Sequence, residues 1–600
     1  MTASVAEKRV SETGRDIIVI KGDRFDKSPV HSIDELLRYI PGIEVQQRGP
    51  AGSQSDILMR GGTFQQVLVI LDGIRLNDPL TGHFNSYIPI APGEIDHIEI
   101  LKGASSAIYG TEAVGGVISI VSKSFAAGGN SRTNEIEAGT SGGQYGFWSA
   151  NASGLIQTKH TAVSIGALSD NADGVQQRGI NGFFHNTTVS ASVRQQLSEN
   201  WTLSLRSSYD HRNFAAQNFY TAFVSDTAVE KVNTWWNQFN ITGRKGRSKF
   251  SFDAGYKQAE DRYAFTKNAS ANDNHSRLVQ ALAVEDYSLD RNTSLTGGIQ
   301  FINQSITSND RGDHSVPAAG VFWVLNQTLA KNLHLSPAVR LDWNNLSGWE
   351  FVPQVNASYK WNKLVFRGSA GKTTRNADFT ERFNNYNKAL VTSGNIGNPD
   401  LGAEHSFSWE AGADYYFGKS LKLSATYFEK QYTGLIDWIN TSYNNMPRKD
   451  NLSPSGSYYL AENNTAISTR GIETVTSVTF GKLDGMAGLT WMHTTPAQSL
   501  YIASAAKLLV NYSVSYRVKF IRLSVNGLYK QRAPQLDNST IAQLDKNYFL
   551  LNGKLSADLY RNKLSLYIEC DNLFNRQYAD RFGVPMPGRW LMTGVQFKIK

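Results

Sequence analysis

The segment FSFDAGYK, residues 250–257, alternates apolar or small side chains with polar or glycine positions. Successive side chains of a β-strand point to opposite faces, so this period of two predicts a strand with one apolar face and one polar face. The same alternation recurs in residues 201–206, 351–361 and 521–529. Because polar or glycine-rich turns separate such segments, we expect repeated antiparallel strands over residues 123–600.

The medium on each side of these strands decides the architecture. A soluble sandwich would bury the apolar face, but it would divide into domains well before the length of residues 123–600. A transmembrane barrel places that face in lipid, closes its own edge and has no such size limit. The fold class predicted is a membrane all-β protein, with an about 22-stranded antiparallel outer-membrane β-barrel and an N-terminal α/β plug domain inside the lumen.

Aromatic side chains near the ends of the predicted strands suit the interfacial girdles of a membrane barrel. The alternative is that they are ordinary aromatic residues of a β-sheet. They are Trp235, Trp236, Tyr415, Tyr416, Tyr458 and Tyr459.

The N-terminal region, residues 14–122, has a different texture. Short apolar segments at residues 17–20, 67–71 and 117–121 predict strands. Ser32, followed three residues later by Glu35, is typical of a capped helix start, and Pro41-Gly42 ends that helix. We expect one compact domain of ordinary size.

Composition excludes several classes of protein. Aromatic residues are 11% of the chain, too many for a disordered protein, and no apolar run is long enough for a membrane helix. The net charge of +8 on 600 residues is a slight excess that does not indicate a nucleic-acid partner. Cys570 is the single cysteine, which excludes an internal disulfide.

No catalytic constellation is present in the sequence. There is no HExxH motif, and AGKT at residues 370–373 lacks the first glycine of a phosphate loop. We therefore expect a protein that is not an enzyme. An outer-membrane hydrolase is the enzymatic alternative.

Ordered motifs then point to a family. ILMRGG from Ile57, VLVILDGIRLND from Val67 and IEILKGASSAIYGTEAVGGVISIVSK from Ile98 resemble the plug domain of TonB-dependent outer-membrane transporters. The second part of the chain agrees with this resemblance. Its matching segments are GKTTRNADFTERF from Gly371, GNPDLGAEHSFSWEAGADYYF from Gly397, STRGIETV from Ser468 and DNLFNRQYADRFGVPMPGRW from Asp571.

The resemblance implies active uptake across the outer membrane of a Gram-negative bacterium. A ligand would bind where the outward plug loops meet the barrel loops, and periplasmic TonB, energised by its inner-membrane complex, would pull the N-terminal segment of the plug. Among members, the cobalamin (vitamin B12) receptors are most similar, so a corrinoid is the first candidate ligand. A ferric siderophore is the second, haem is third, and a passive porin or adhesin is the alternative of another class. A surface lipoprotein is a further expected partner, together with the lipid bilayer.

Ligand contacts are predicted from loop position within this resemblance. The polar stretch NDPLTGHFNSY corresponds to an apical plug loop, and a preceding loop gives a second set. The predicted ligand-binding residues are Thr81, His83, Asn85, Tyr87 and Asn77, with Gln46, Gln47, Arg48 and Ser53 as the second set. The alternative for each is a solvated loop residue without a ligand role.

The plug motifs supply a second group of candidate residues, for plug structure and gating. The glycines would allow tight turns and close backbone approach, and Arg60 and Arg75 could pair with Glu99 and Glu112 or with the barrel wall. The alternative is that these residues only build the plug fold. The group comprises Arg60, Gly61, Gly62, Asp72, Gly73, Arg75, Glu99, Gly103, Tyr109, Gly110, Glu112, Gly115 and Gly116.

Calcium is the one metal that the resemblance suggests. Asp170 and Asp173, with Asn171 and Gly174, form an oxygen-rich segment where cobalamin receptors carry calcium-binding carboxylates. The alternative is a simple turn, because two carboxylates make a poor site. We expect no tightly bound cofactor.

The first residues are expected to be a remnant. Residues 1–13 precede the plug, and Thr2, Ala3 and Ser4 would be the tail of the TonB-contacting box. We expect that the signal peptide and most of that box are missing from this sequence. We therefore expect this chain to bind ligand without transporting it.

Overall fold

The computed structural model describes residues 10–49, 52–127, 133–176, 180–221, 225–495, 505–532, 545–560, 563–581 and 584–600. The predicted remnant at Thr2–Ser4 lies outside these residues. No helix among them is long and apolar enough to cross a membrane.

The plug is built on a small mixed sheet. Strands β1, β6, β7, β4 and β5 form it in that order, with β1 at one edge, and β2 pairs with β3 as a separate hairpin. The strands are β1 (Ile17–Lys21), β2 (Ile43–Arg48), β3 (Gln54–Met59), β4 (Val67–Leu71), β5 (Ile74–Arg75), β6 (Ile95–Lys102) and β7 (Gly116–Ser122). The helices are α1 (Arg24–Lys27), α2 (Ile33–Arg38), α3 (Ser106–Tyr109) and α4 (Lys123–Ala126), and short 3-10 turns cover Val10–Glu12, Phe64–Gln66, Gly82–Ser86 and Pro92–Glu94.

Helix α2 begins as the sequence predicts. The Ser32 hydroxyl accepts a hydrogen bond from the Glu35 amide, and the Glu35 carboxylate accepts from the Ser32 amide. These reciprocal bonds satisfy backbone donors that the first turn of a helix leaves free. Leu36 and Leu37 then point into the main apolar core of the plug.

After Ser122 the chain passes through α4 and enters the barrel at Thr133. In the described part of the chain, 22 antiparallel strands form the closed wall. They are β8 (Thr133–Gly143), β9 (Trp148–Gln157), β10 (Thr161–Ala172), β11 (Phe184–Gln196), β12 (Trp201–Ala215), β13 (Val229–Lys245), β14 (Ser248–Ala264), β15 (Asn272–Ser288), β16 (Thr293–Ser308), β17 (His314–Leu329), β18 (Leu333–Asn344), β19 (Gly348–Trp361), β20 (Leu364–Arg375), β22 (Glu404–Phe417), β23 (Leu421–Thr441), β24 (Leu452–Phe480), β25 (Leu483–Thr495), β26 (Ala506–Val518), β27 (Ile521–Arg532), β28 (Asn547–Leu559), β29 (Leu564–Asp571) and β30 (Trp590–Ile599).

Other elements lie in the connections. Helix α5 (Phe379–Phe383) and strand β21 (Val391–Ile396) lie between β20 and β22, and β21 pairs in parallel with β24. Short 3-10 turns cover Gln144–Gly146 and Tyr443–Asn445. The wall closes where β30 pairs antiparallel with β8, from Ile599 opposite Ile136 to Met592 opposite Gly143.

The two rims of the barrel differ. At one rim the strands join through short turns, such as residues 158–160 between β9 and β10, and we call it the turn rim. At the other rim the connections include residues 376–403, and we call it the loop rim. The chain enters the barrel from the plug at the turn rim, because β8 begins there.

Burial in the wall is inverted relative to a soluble protein. On β12 the Leu205 side chain is 40% exposed on the outside, while its neighbour Arg206 is 3% exposed in the lumen. Residues 250–257 of β14 behave in the same way, since Tyr256 is exposed and Asp253 and Lys257 are buried. The apolar face therefore meets lipid, as a membrane barrel requires.

The girdle prediction is wrong for Trp236 and Tyr458, which are buried. Trp235 is 47% exposed on the outside, but Trp236 is fully buried in the main core against the plug. Tyr458 is likewise buried, within an apolar loop cluster, beside the exposed Tyr459. Consecutive strand residues point to opposite faces, so both members of such a pair cannot meet lipid.

Part of the polar lumen is satisfied by the main chain of the plug. Wall side chains donate hydrogen bonds to plug carbonyl oxygens, which leaves fewer buried donors without an acceptor. Examples are Lys257 to Leu76, Gln280 to Arg75, Lys430 to Val114 and Asn511 to Arg38, at 2.7–2.9 Å.

A charge on the lipid face should destabilise the barrel. We expect Leu205→Arg to lower the free energy of unfolding in lipid vesicles by up to about 4 kcal/mol, because the guanidinium would lie in the apolar band. Leu205→Met is the control and should change it little. Denaturant unfolding followed by tryptophan fluorescence measures both, and equal stability of the two variants would contradict the assigned outer face.

Candidate ligand site and plug contacts

The top of the plug, towards the loop rim, is organised around Asp56. Its carboxylate accepts from Arg48 Nη2 at 2.9 Å and from Arg581 Nη1 at 3.1 Å, and its Oδ1 lies 2.6 Å from His83 Nδ1. Arg48 and Asp56 belong to the β2–β3 hairpin, His83 to the apical plug loop, and Arg581 to the barrel loop after β29. Asp56 thus ties two plug loops to the barrel. We call these four residues the apical cluster.

Two members of the apical cluster reach the surface, Arg581 with a side chain 36% exposed and His83 with one 15% exposed. The His83 ring stacks on Phe64 with centroids 3.9 Å apart. Burial disfavours the imidazolium and lowers the pKa of His83 to about 4, helped by the Arg48 and Arg581 charges and opposed by Asp56. The neutral ring therefore donates from Nδ1 to Asp56.

The other predicted ligand contacts are covered by protein. Asn77 uses its amide to bridge the Val69 amide and the Val67 carbonyl, and Asn85 donates to the Phe64 carbonyl. These are structural roles within the plug. Thr81, Asn85, Tyr87, Asn77, Gln46, Gln47, Arg48 and Ser53 are all buried.

Two barrel loops do much of the covering. Helix α5 packs over the apical plug loop, where the Phe379 amide donates to Pro79 O and the Thr380 amide to Leu80 O, at 3.0 and 3.1 Å. The loop after β29 adds Asp580, which accepts from the Gln47 amide. Direct ligand contact by the buried residues therefore stays a prediction that requires these loops to move.

Beneath the loops lies an aromatic cluster. It joins the plug apex to the outer ends of several wall strands, and its members are buried. Its large members are Leu80, Phe84, Tyr87, Phe147, Phe184, Phe214, Phe219, Phe379, Phe383, Trp590 and Met592.

Sequence reasoning missed several residues at this apex. Phe64 and Gln65 lie in a short turn and are partly exposed, and Tyr220 is 40% exposed beside them, 5.7 Å from the His83 ring. Asp56 was also missed, although a charged residue inside the apolar segment DILM is a signal that could have been followed. Arg581 carried no local signal.

The middle of the lumen holds a second charged group, centred on Arg60. Its guanidinium contacts Asp16 at 2.9 Å and Glu473 at 3.3 Å, and it also pairs with Glu410. Lys102 pairs with the same Glu473. We call these five residues the plug seat, because Glu410 and Glu473 belong to the wall and the others to the plug.

The ionisation of each residue in the plug seat depends on the charges of its neighbours. Burial opposes ionisation of Asp16, but Lys102, Arg367 and Arg60 hold its pKa well below the usual range. Burial lowers the pKa of Lys102 to about 7. Such a buried network is weak evidence for stability, but removing one member leaves an uncompensated charge.

The remaining plug-motif residues have varied surroundings. Arg75 Nη2 lies 3.8 Å from Glu112, whereas Glu99 contacts His97 at 3.3 Å and no arginine pairing of Glu99 is seen among the described residues. Asp72 accepts from Ser122 and from Arg206 of the wall. Tyr109 ends α3 and packs against a small plug core.

At two positions in these motifs the surroundings explain why the residue is a glycine. Gly61 has a φ of +72°, and a Cβ there would lie 2.8 Å from Thr469 of the wall. A Cβ on Gly116 would lie 2.4 Å from Leu101 O. The other motif glycines, Gly62, Gly73, Gly103, Gly110 and Gly115, lie in the turns that connect these elements.

The calcium prediction gains no support from the wall. Asp170 is buried near the outer end of β10, whereas Asp173 is exposed beyond it. Among the residues that the structure describes, no three His, Cys, Asp or Glu side chains come together as a metal site. Calcium at Asp170 and Asp173 stays a prediction. AGKT lies in strand β20, as a barrel segment rather than a phosphate loop.

Comparison with known proteins decides the family. A model described as the TonB-dependent receptor plug domain matches residues 9–117, and one described as the TonB-dependent receptor-like β-barrel matches residues 124–573. The chain belongs to the TonB-dependent receptor family. It is thus an outer-membrane transport protein of the Gram-negative type and not an enzyme.

The similar proteins include vitamin B12 transporters, found by sequence, and a ferric enterobactin receptor, found by structure. The vitamin B12 transporter BtuB of Vibrio cholerae serotype O1 is 25% identical, with 100% of this chain and 95% of that protein covered. BtuB of Photobacterium profundum is 23% identical over 96% of this chain and 92% of that protein. A mutant of the ferric enterobactin receptor PfeA of Pseudomonas aeruginosa, solved in complex with enterobactin, shares the fold, with a TM-score of 0.79 at 15% identity over 98% of this chain and 100% of that one.

Loss of Arg60 should loosen the plug. We expect Arg60→Ala to lower the free energy of plug unfolding by about 3–5 kcal/mol, since three buried carboxylates lose their shared cation. Arg470→Ala on β24, an exposed arginine of the outer wall, is the matched control. Limited proteolysis across a urea series measures plug opening, and equal resistance of the two variants would contradict the plug seat.

His83 should remain neutral at physiological pH. Because its pKa falls to about 4 in the folded receptor, the unfolded chain binds the proton more readily. The stability that the neutral ring contributes is present above pH 6.5 and is lost as the pH falls towards 4. Histidine-selective NMR, with His83→Gln to assign the signal, measures this pKa, and titration near pH 6.5 would disprove the expectation.

Proposed function

We propose that this receptor imports a corrinoid, cobalamin in the first place, by TonB-energised transport. The vitamin B12 transporters among its relatives match it over nearly their full length, which supports this ligand class. The observation that carries the proposal is the chemistry of the plug apex, which is aromatic and almost charge-balanced.

The charge balance argues for a ligand of low net charge. In the apical cluster, Asp56 offsets one of the two arginines and His83 is neutral. A ferric catecholate complex is strongly anionic and would need a denser positive surface. A corrinoid is a large ring edged with amide groups, and it suits aromatic faces together with hydrogen-bonding side chains such as Gln65.

A ferric chelate is the second candidate, because the loops carry a different charge from the apex. Residues 376–403 contribute Lys388, and the loop after β23 contributes Arg448 and Lys449, all at least partly exposed, whereas Arg382 is buried. The Arg448 guanidinium lies 4.1 Å from the Tyr386 ring centroid. These cations could receive an anionic ligand before it reaches the plug.

Passive passage is a poor account of this molecule. The plug core packs directly on wall residues, including Trp236, Phe428 and Leu528. An open porin would need a continuous aqueous channel, whereas the lumen here is filled along most of its circumference. Uptake therefore requires movement of the plug. A surface lipoprotein partner stays a prediction from the resemblance.

Titration calorimetry on the detergent-purified receptor should separate the ligand classes. We expect cyanocobalamin to bind and ferric enterobactin and haem to bind more weakly or not at all. Phe64→Ala should weaken cyanocobalamin binding about tenfold, or ~1.4 kcal/mol, because it removes an aromatic face.

The control for this variant is Phe301→Ala, which removes an exposed phenylalanine from the outer wall. It should leave the affinity for cyanocobalamin unchanged. Tighter binding of ferric enterobactin would favour the second candidate. Unchanged affinity of the Phe64 variant would refute the apical site.

A further inference from the structure

A large cavity separates the plug from one side of the barrel wall. It measures about 550 Å³ and is enclosed by the plug segments 21–31 and 92–97 and by wall strands β8–β10 and β28–β30. It begins at the turn rim, beside Glu135 and Lys600, and reaches upward to His31. Its lining is rich in charged side chains, so it is suited to hold water.

A second, smaller cavity continues above it on the same wall. This one measures about 50 Å³ and lies between plug residues Gly52 and Glu35 and the outer ends of β10–β12, β29 and β30. Its upper lining includes Phe184 and Trp590, which belong to the aromatic cluster beneath the loops. The two cavities therefore occupy successive levels between the ligand end and the turn rim.

The two cavities share two lining residues, His31 of the plug and Leu168 of the wall. His31 Nε2 lies 3.0 Å from Oε1 of Glu569 on β29, so its ring reaches across from plug to wall. The His31 amide donates to Glu35 at 2.6 Å, which anchors the residue to the start of α2. Its ring also approaches Phe147, with centroids 5.3 Å apart.

We propose that these cavities mark the route of the transported ligand, and that the His31–Glu569 contact is the gate between their two levels. In the resting receptor the gate is closed. The route opens when the plug segment that carries α1 and His31 leaves the wall. This inference rests on the transport function and holds for a corrinoid or a ferric chelate alike.

The opposite side of the lumen is sealed by a different kind of contact. There Ala107 of α3 packs into an apolar group with Phe322, Val324 and Ala338 of the wall. A cavity of about 50 Å³ lies above this group, lined by Gln304 and Ala318 among others. It does not include residues of the turn rim. Hydrated passage on that side would have to cross packed apolar side chains.

The lower cavity is also held by contacts that water can replace. Lys598 of β30 contacts Asp26 of α1 at 2.7 Å and Glu137 of β8 at 2.8 Å, and the Lys598 and Asp26 side chains are partly exposed whereas Glu137 is buried. Partly exposed ion pairs contribute little to stability. On its other side α1 is held by Arg24, which contacts Asp484 of β25 at 2.6 Å, so release of α1 must break that pair as well.

Conductance in planar bilayers tests the route without any ligand. We expect the double variant His31→Ala, Glu569→Ala to show ion-conducting openings that the unaltered receptor lacks. Adding Asn151→Trp, which fills the lower cavity from β9, should abolish these openings. Adding Ala318→Trp, which fills the cavity on the opposite side, should leave them. Heat-modifiable electrophoretic mobility confirms that each barrel is folded.

The proposed route would be refuted if the double variant showed no ion-conducting openings. It would also be refuted if the tryptophan at position 318 blocked the openings and the one at position 151 did not. Failure of cyanocobalamin to bind in calorimetry would refute the proposed ligand and leave these conductance results standing. The two failures are thus distinguishable.

Thiol labelling tests the same gate with milder changes. In a Cys570→Ala background, Asn151→Cys should react with a small charged methanethiosulfonate added from the turn-rim side of proteoliposomes. Thr188→Cys, in the upper cavity, should react from that side after the His31→Ala, Glu569→Ala change and not before. Equal reactivity of Thr188→Cys with and without the gate contact would refute the gate.

Discussion

The absence of water in the bilayer core is the constraint on which the rest of this structure depends. Every backbone donor and acceptor of the wall must find a partner within the protein, and a sheet achieves this in lipid when its first and last strands pair. The pairing of β30 with β8 completes that circle. A circle of 22 strands encloses a wide lumen, and its inward faces are polar because the outward faces must be apolar. A folded plug is the consequence.

The plug must fill the lumen and still be able to move. Its contacts with the wall are accordingly of two kinds, one that fixes its position and one that can be broken. The plug seat places Arg60 among three buried carboxylates, two of which belong to the wall. Buried pairs of this kind select one arrangement over others more than they add stability. On the other side, the plug meets the wall across a cavity, through pairs such as Asp26 with Lys598 that water can replace. One side positions the plug and the other can yield.

Much of the fold could be predicted because its signals are local. A period of two in segments such as FSFDAGYK reveals which face meets lipid, and Ser32 with Glu35 marks the start of α2. The same period of two places Trp236 on the lumen face, because its neighbour Trp235 faces lipid. The apical cluster could not be predicted, because Asp56 and Arg581 meet only after the whole barrel closes. Asn77 and Tyr87 are buried because barrel loops fold over the plug, and the sequence near those residues contains no pattern that predicts this burial.

The order of contacts along the chain suits a pull from the N-terminal end. Arg15 comes first and donates to Lys102 O and Ser105 Oγ within the plug. Asp16 follows, and when it leaves, Arg60 keeps Glu410 and Glu473. Strand β1 follows, and as an edge strand paired with β6 alone it can separate one hydrogen-bonded pair at a time. Arg24, paired with Asp484 of β25, and Asp26 are next, and then His31. A force applied at this end therefore meets the contacts beside the large cavity in sequence, while α3 remains packed against the opposite wall.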